Sequence, residues 1–500
     1  MLGATMLIPL AISLIMGEQD IACNYLIGIG CAAVIGGLLR MCRISTPTLQ
    51  RRHAIAITVL VWVAGAAISA VPLLLSGHYG SYLDAFFESV SGLTTSGFSL
   101  CQDVDHLSMA DNMWRFTLHY LGGQGVVVMA LSLGIFNKVA SSFYSAEGRN
   151  ELIMTDIRGT ARFIFRFSFT VVLCGTIVLF IIILTLGMDP VRSLFNSLWL
   201  TISAYDTGGF TPQSPSIIYY HSWALEIDLI VVMLMGAVNF ALYARMQKRN
   251  IRQIIREFTH DIEIKTLAAL ILIMLMAFVL VVQAGGFFTN DAGMLRRGIF
   301  TIVSLETSTG FSVLTTSQLA TAFSSGAVFI LIGVMAIGGS SDSTAGGIKA
   351  LRLGIIIKST IVSIKEHLSP KSVRNTTAYQ HLGRQLLTSN VAVMAMTIAL
   401  LYLITYIIGA LAGILAGNGA VPSLFDSVAA TTNSGISTGL VSPDTPTVLK
   451  IIYILQMWVG RLEFLTFLAV VFGFIASFKP LLGRAKRLFK SMKKKAQRDH

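Results

Sequence analysis

Long apolar runs alternate with short stretches of mixed polarity along the whole chain. The runs fall at 2–16, 21–39, 54–75, 113–137, 163–187, 223–244, 264–288, 324–337, 348–364, 388–416 and 447–477. Many are near the ~20 residues that carry a helix across a bilayer. Four shorter stretches, 83–93, 193–203, 294–305 and 422–431, lie between runs and are too short to span. A segment that enters and leaves the membrane on one face uses such a length. The pattern predicts an all-α polytopic membrane protein. The run 2–16 reads as a membrane helix with a clipped start, because no Lys or Arg precedes it and no small-x-small cleavage site follows.

A repeat underlies the short stretches. Four glycines, Gly97, Gly209, Gly310 and Gly435, lie 112, 101 and 125 residues apart in the strings TTSGFS, DTGGFT, TSTGFS and TNSGIS. The register extends well beyond these strings. Ten residues before each glycine stand Phe87, Trp199, Phe300 and Phe425; six before stand the small residues Ser91, Ser203, Ser304 and Ala429. Each copy reads as span, short helix, Gly-centred loop and span. The division that follows is two accessory helices in 1–50, four units at 51–140, 155–248, 260–366 and 385–478, and a basic tail at 479–500. Glycine permits a backbone in which successive carbonyls point one way, and irregular backbone at membrane depth must be buried in protein or line water. Four such loops around one central pore form rings of carbonyls that replace a cation's hydration shell. The expected cation contacts are Thr95, Ser96 and Gly97; Thr207, Gly208 and Gly209; Ser308, Thr309 and Gly310; and Asn433, Ser434 and Gly435, mainly through backbone oxygens.

Composition agrees with this reading and orients it. The chain is 54% hydrophobic and 12% charged, with mean hydropathy +0.73, where a soluble domain carries about 25% charged residues. Segments 40–52, 138–166, 245–265, 349–384 and 479–500 hold 31 of the 37 Lys and Arg but 8 of the 25 Asp and Glu. That side is cytoplasmic by the positive-inside rule. The short stretches then share the acidic outer face, which concentrates cations. The +12 net charge therefore reports topology and membrane lipid rather than nucleic acid. Of the five cysteines, Cys23, Cys31, Cys42, Cys101 and Cys174, none makes a CxxC pair or a metal pattern with His, and nothing points to a cofactor. An enzyme is excluded for want of a Ser/His pair or metal ligands within the spans.

Two constellations interrupt the apolar helices. The string AIGGSSDSTAGGIK at 336–349 splits the third inner helix between two short flanks. It is not a phosphate-binding loop, because no Gly precedes Lys349 in GK[ST] order. It is either a linker or an irregular segment beneath the loops that plugs or clears the path. Its candidate gating residues are Gly338, Gly339, Asp342, Gly346, Gly347 and Lys349. Arg461, in WVGRLEFL at 458–465, lies roughly 20 Å along the last inner helix. A charge that deep faces a cavity or a partner, and Glu463 two residues on points elsewhere. Asp206, the one acid in the four strings, either raises local cation occupancy or braces its loop. The glycines of LGGQGVVV at 121–128 suit close packing, and His119 before them suits a packed or mouth position rather than a ligand.

These motifs resemble the Trk/Ktr/HKT superfamily of cation transporters, and within it the bacterial Trk-type potassium uptake subunits, over nearly the whole chain. Four span–pore helix–span units with one filter glycine each define that superfamily, and two extra leading helices are similar to the TrkH branch. Glycine in the first loop, here Gly97, implies potassium selectivity; a sodium-permeable or sodium-coupled relative is the alternative. The resemblance implies an intramembrane gating loop ending in a GGIK-like string and an Arg under the filter. Asp342 stands where relatives commonly have glycine, which puts the usual loop shape in question. It also implies a homodimer, a separate cytosolic TrkA-type nucleotide-binding ring, and residence in the bacterial inner membrane with filter loops outside and the tail inside.

Overall fold

The computed structural model describes residues 2–41, 51–125, 157–246, 250–286, 291–368, 377–462 and 464. The tail 479–500, Glu463, Cys42 and the second half of the run 113–137 lie outside the described residues.

Helices α1 (Leu2–Thr5), α2 (Leu7–Met16) and α3 (Gln19–Met41) precede the repeat, with α2 packed on α3 and on the first inner helix. The first unit comprises α4 (Arg51–Leu75), α5 (Tyr82–Leu93) and α6 (Met109–Gln124). The second has α7 (Ile157–Thr185), α8 (Pro190–Tyr205), α9 (Trp223–Ala237) and α10 (Phe240–Met246). After α11 (Ile251–His260), the third has α12 (Ile262–Ala284), α13 (Asp291–Glu306), α14 (Ser325–Ile337) and α15 (Ala350–Leu368). The fourth has α16 (Ser389–Leu415), α17 (Ala420–Thr431) and α18 (Thr447–Leu462). The short helices α5, α8, α13 and α17 begin and end within a few residues of the expected stretches.

Every short helix packs between the long helix before it and the inner helix after it. Between units the packing is cyclic: α6 meets α8, α9 meets α13, α14 meets α17, and α18 returns to α5. The aromatics ten residues before the glycines hold this arrangement. Phe87, Trp199, Phe300 and Phe425 are all buried, and Trp199 stacks on Phe116 of α6 with ring centroids 5.6 Å apart. The long outer helices reverse the pattern of a soluble protein. On α12 and α16, Leu272, Met276, Leu280, Leu400 and Ile407 are exposed, as lipid-facing residues are. Among the described residues four helices are long and apolar enough to cross a membrane, and a fifth span arises if α9 and α10 are joined.

One expectation needs correction. The run 223–244 is not one helix, because α9 and α10 meet at 95°. Val238 is extended and the Asn239 side chain accepts from Ala241 N at 2.8 Å, which starts α10 afresh. The carbonyls of Gly236 and Ala237 freed by the break accept from Thr344 N and Ser340 N, at 3.2 and 2.9 Å. The all-α class stands; the described strands are β1 (Ala378–Gln380) and β2 (Arg384–Leu386), a small antiparallel hairpin with Ala378 opposite Leu386.

Candidate functional site

Each short helix ends in the same way. Thr95, Thr207, Ser308 and Asn433 take left-handed φ values of 53°, 50°, 57° and 57°. The next amide then turns back to the helix: Ser96 N to Ser91 O, Gly208 N to Ser203 O, Thr309 N to Ser304 O, and Ser434 N to Ala429 O, at 2.7–3.0 Å. This closure satisfies carbonyls a helix end otherwise leaves open. It explains why a register position six residues before each glycine exists at all. Left-handed geometry costs an L-residue about 1–2 kcal/mol, so four such residues in one register mark a constrained site.

The four glycines then bring the loops together. Their φ values lie between 62° and 88°. A Cβ on Gly97 would overlap Gly208 O; on Gly209, Thr309 O; on Gly310, Ser434 O; and on Gly435, Ser96 O. Each glycine thus abuts the carbonyl preceding the next glycine, and the contacts run around a closed ring. One cavity of about 340 Å³ opens above, lined by all four glycines together with Ser99, Thr211, Ser312 and Ser437. The residues after the glycines, Phe98, Phe210, Phe311 and Ile436, are buried behind the ring.

The side chains break the fourfold likeness in one unit. In three loops two hydroxyls clasp at 2.8 Å: Thr94 with Ser96, Thr307 with Thr309, and Thr432 with Ser434. The second loop has Asp206 and Gly208 in those places. The His119 ring fills the space a Gly208 side chain would take, stacked on Phe210 at 4.2 Å between centroids. Asp206 is fully buried; its carboxylate lies against Gly123 and accepts from Gln124 Nε2 at 3.0 Å. That contact favours the bracing role.

Sequence reasoning missed the supports behind the ring. Glu88 accepts from Ser99 Oγ, Leu100 N and Arg115 Nε, each at 2.9 Å. Asp426 accepts from Ser437 Oγ at 2.6 Å and Thr438 N at 2.9 Å. Both acids stand nine residues before a ring glycine, so the register itself carried the signal. Arg115 also lies 4.2 Å over the Phe210 ring and tethers the second loop. At the exposed rim a hydrogen bond from His106 holds the Asp103 carboxyl below its ordinary range.

Beneath the ring lies the Gly-rich segment, folded upward rather than strung out as a linker. The Cβ position of Gly346 is filled by Thr432 O and that of Gly338 by Gly346 O, while Ser308 Oγ lies 3.4 Å from Gly346 O. Gly339 and Gly347 let the two limbs close on Ala345 and Ile337. Thr344 is the hub: its hydroxyl lies 3.0 Å from Tyr205 O, 2.9 Å from Gly236 O and 3.3 Å from Thr207 Oγ1. Asp342 keeps a left-handed φ of 48°, a conformation Asp tolerates, so the shape glycine would give survives. Lys349 closes the segment, with its amide on Ile337 O at 2.7 Å and its Nζ on Ala345 O. Arg461 reaches the same place from α18. It donates to Thr344 O at 2.7 Å, Gly123 O at 3.0 Å, Thr95 Oγ1 at 3.3 Å and Gly122 O. One guanidinium thereby joins the Gly-rich segment, the first loop and the first inner helix.

Comparison with known proteins places this geometry. A family model described as TrkH, cation transport protein, matches residues 23–475. An uncharacterized cation transporter of Methanocaldococcus jannaschii is 30% identical over 471 residues, 94% of this chain and 92% of that protein. The Trk system potassium uptake protein TrkH of Halomonas elongata is 27% identical, covering 93% of this chain and 94% of its own. The fold is also that of the potassium transporter TrkH from Vibrio parahaemolyticus, with a TM-score of 0.78 at 22% identity over 93% and 94% of the two chains.

Proposed function

Since the chain belongs to the TrkH family of cation transport proteins, we propose that it carries potassium into the cell through the ring of Gly97, Gly209, Gly310 and Gly435. The observation that carries this reading is the cyclic abutment of the four loops under one shared vestibule. The carbonyls of Ser96, Gly208, Thr309 and Ser434 replace the water shell of a dehydrated ion. The short helices aim their carbonyl ends, with partial negative charge, at the ring. Glu88 and Asp426 fix the outgoing limbs of two loops, so the ring keeps its width without a charge at its centre. Potassium rather than sodium follows from glycine at the first loop and from relatives named as potassium uptake proteins.

Gating belongs to the underside. The segment 338–349 plugs the path, and Arg461 both pins it and opposes a cation by its charge. Opening requires the segment to leave Thr344's partners and the Arg461 bond together. The subunit works within a multi-component system, as relatives named as parts of a Trk system support; a homodimer with a cytosolic nucleotide-binding ring of TrkA type is the form that the sequence resemblance implies. The chain sits in the bacterial inner membrane with its ring toward the outside. Rubidium-86 uptake into liposomes holding the purified protein tests the reading. Potassium is expected to compete and sodium to compete weakly; equal competition by sodium overturns potassium selectivity.

A further inference from the structure

Away from the ring, at the amino end of α12, the fold gathers three ligand-type side chains from segments 120 residues apart. Asp261 caps α12 by accepting from Glu263 N at 2.8 Å. His381 stands at the turn of the β1–β2 hairpin, its Nδ1 3.2 Å from both Asp261 oxygens and 4.0 Å from Glu263 Oε2. The turn is anchored on the same carboxylate through Leu382 N, at 3.2 Å. Asp261, Glu263 and His381 are 2%, 0% and 2% exposed, and one ligand atom from each lies within 4.8 Å of the others.

We propose that Asp261, Glu263 and His381 bind a divalent transition-metal ion of the zinc, cobalt or manganese class, which ties the hairpin to the Gly-rich segment. Three observations carry it. First, Glu263 Oε2 is buried and aimed into the cluster, with no hydrogen-bond partner among the described residues. Its ionic neighbour there is the His381 imidazole at 4.0 Å, which compensates the carboxylate only when protonated, whereas a metal ion compensates it with the imidazole neutral. Second, the donor set suits the ion. Bonds of about 2.0–2.2 Å in tetrahedral geometry place ligand atoms about 3.3–3.6 Å apart, and the distances of 3.2 and 4.0 Å bracket that edge. Imidazole with carboxylates favours this class over calcium or magnesium. Third, a cavity lies close by. It has a volume of about 1050 Å³ and is lined by His260 and Ile262, which flank Asp261, and by Gln380, next to His381. The coupling is direct, because Glu263 Oε1 accepts from Ser341 N at 2.5 Å. Ligation through Oε2 fixes the carboxylate that holds the segment.

The test uses full-length protein in detergent, stripped with EDTA and free of any polyhistidine tag. Cobalt(II) titration, read by visible absorption, is expected to saturate at one equivalent per chain and to reverse with zinc. Metal should raise the melting temperature and slow hydrogen exchange across 338–349. Glu263→Gln, which keeps an acceptor for Ser341 N, and His381→Gln should each weaken binding at least tenfold. Folded wild-type protein without stoichiometric binding overturns the site, as does binding that neither variant weakens. Binding that leaves exchange across 338–349 unchanged overturns the tie to the segment. None of these readouts depends on ion flux, so the transport reading stands or falls separately.

Discussion

Replacing Arg461 with Gln removes a charge from beneath the ring while keeping a polar side chain. In the native protein the guanidinium holds Thr344 O at 2.7 Å and also donates to Gly122 O, Gly123 O and Thr95 Oγ1. On the proposed path, an ion leaving the ring on the side of the Gly-rich segment meets this charge. At about 6 Å and an effective dielectric of 20, two unit charges repel by roughly 3 kcal/mol. A barrier of that size slows passage about a hundredfold. The bond to Thr344 O acts in the same direction, because a charged hydrogen bond is worth about 1.5–3 kcal/mol and here it pins the plug. The variant is expected to raise basal rubidium-86 flux in liposomes between ten- and a hundredfold, at matched protein content. These four bonds run to neutral oxygens, and melting is read beside flux to separate loss of the fold from loss of the barrier. Shortening the segment 338–349 should also raise flux, and the two changes together should fall short of additive if they act on one barrier. A monodisperse, membrane-inserted Arg461→Gln protein with unchanged or lower flux refutes the reasoning.

Gly97→Ser places a Cβ onto the Gly208 carbonyl at a φ of +88°, so the ring must deform. Sodium should then compete better for rubidium uptake, and unchanged competition counts against Gly97 as a filter residue. Glu88→Gln leaves the buried Arg115 without its carboxylate partner, a loss of about 3–5 kcal/mol. Asp426→Asn keeps one acceptor oxygen and turns the other into a donor, so it loses the bond from Ser437 Oγ or that from Thr438 N and should cost about 1–3 kcal/mol; equal melting shifts for the two would contradict the assignment. Asp206→Asn should leave apparent potassium affinity within about twofold at low salt, because its carboxylate faces Gly123 and Gln124. A larger, salt-sensitive drop would restore the electrostatic role.

The repeat was legible because local chemistry set it. A left-handed residue, a returning amide and a glycine that admits a neighbour's carbonyl recur at fixed offsets, and fixed offsets survive in sequence. Arg461 stood out in the sequence as a charge within an apolar run, and its partners did not. Other features depend on partners remote in the chain. Nothing at Val238 and Asn239 announces a break, since the amides that donate to the freed carbonyls sit on Ser340 and Thr344. The exchange of a hydroxyl clasp for His119 in the second loop needs α6 beside α8. Asp261, Glu263 and His381 share no spacing motif, because the hairpin turn brings the imidazole back across 120 residues.

The central claim is that one dehydrated cation is held between four carbonyls on the ring. Anomalous scattering from protein crystals grown in thallium or rubidium tests it most directly. The account predicts density on the axis, within coordination distance of the oxygens of Ser96, Gly208, Thr309 and Ser434, which diminishes when potassium replaces the heavier ion. Ordered ions found elsewhere in the membrane region, with the ring empty in protein that transports, would contradict it.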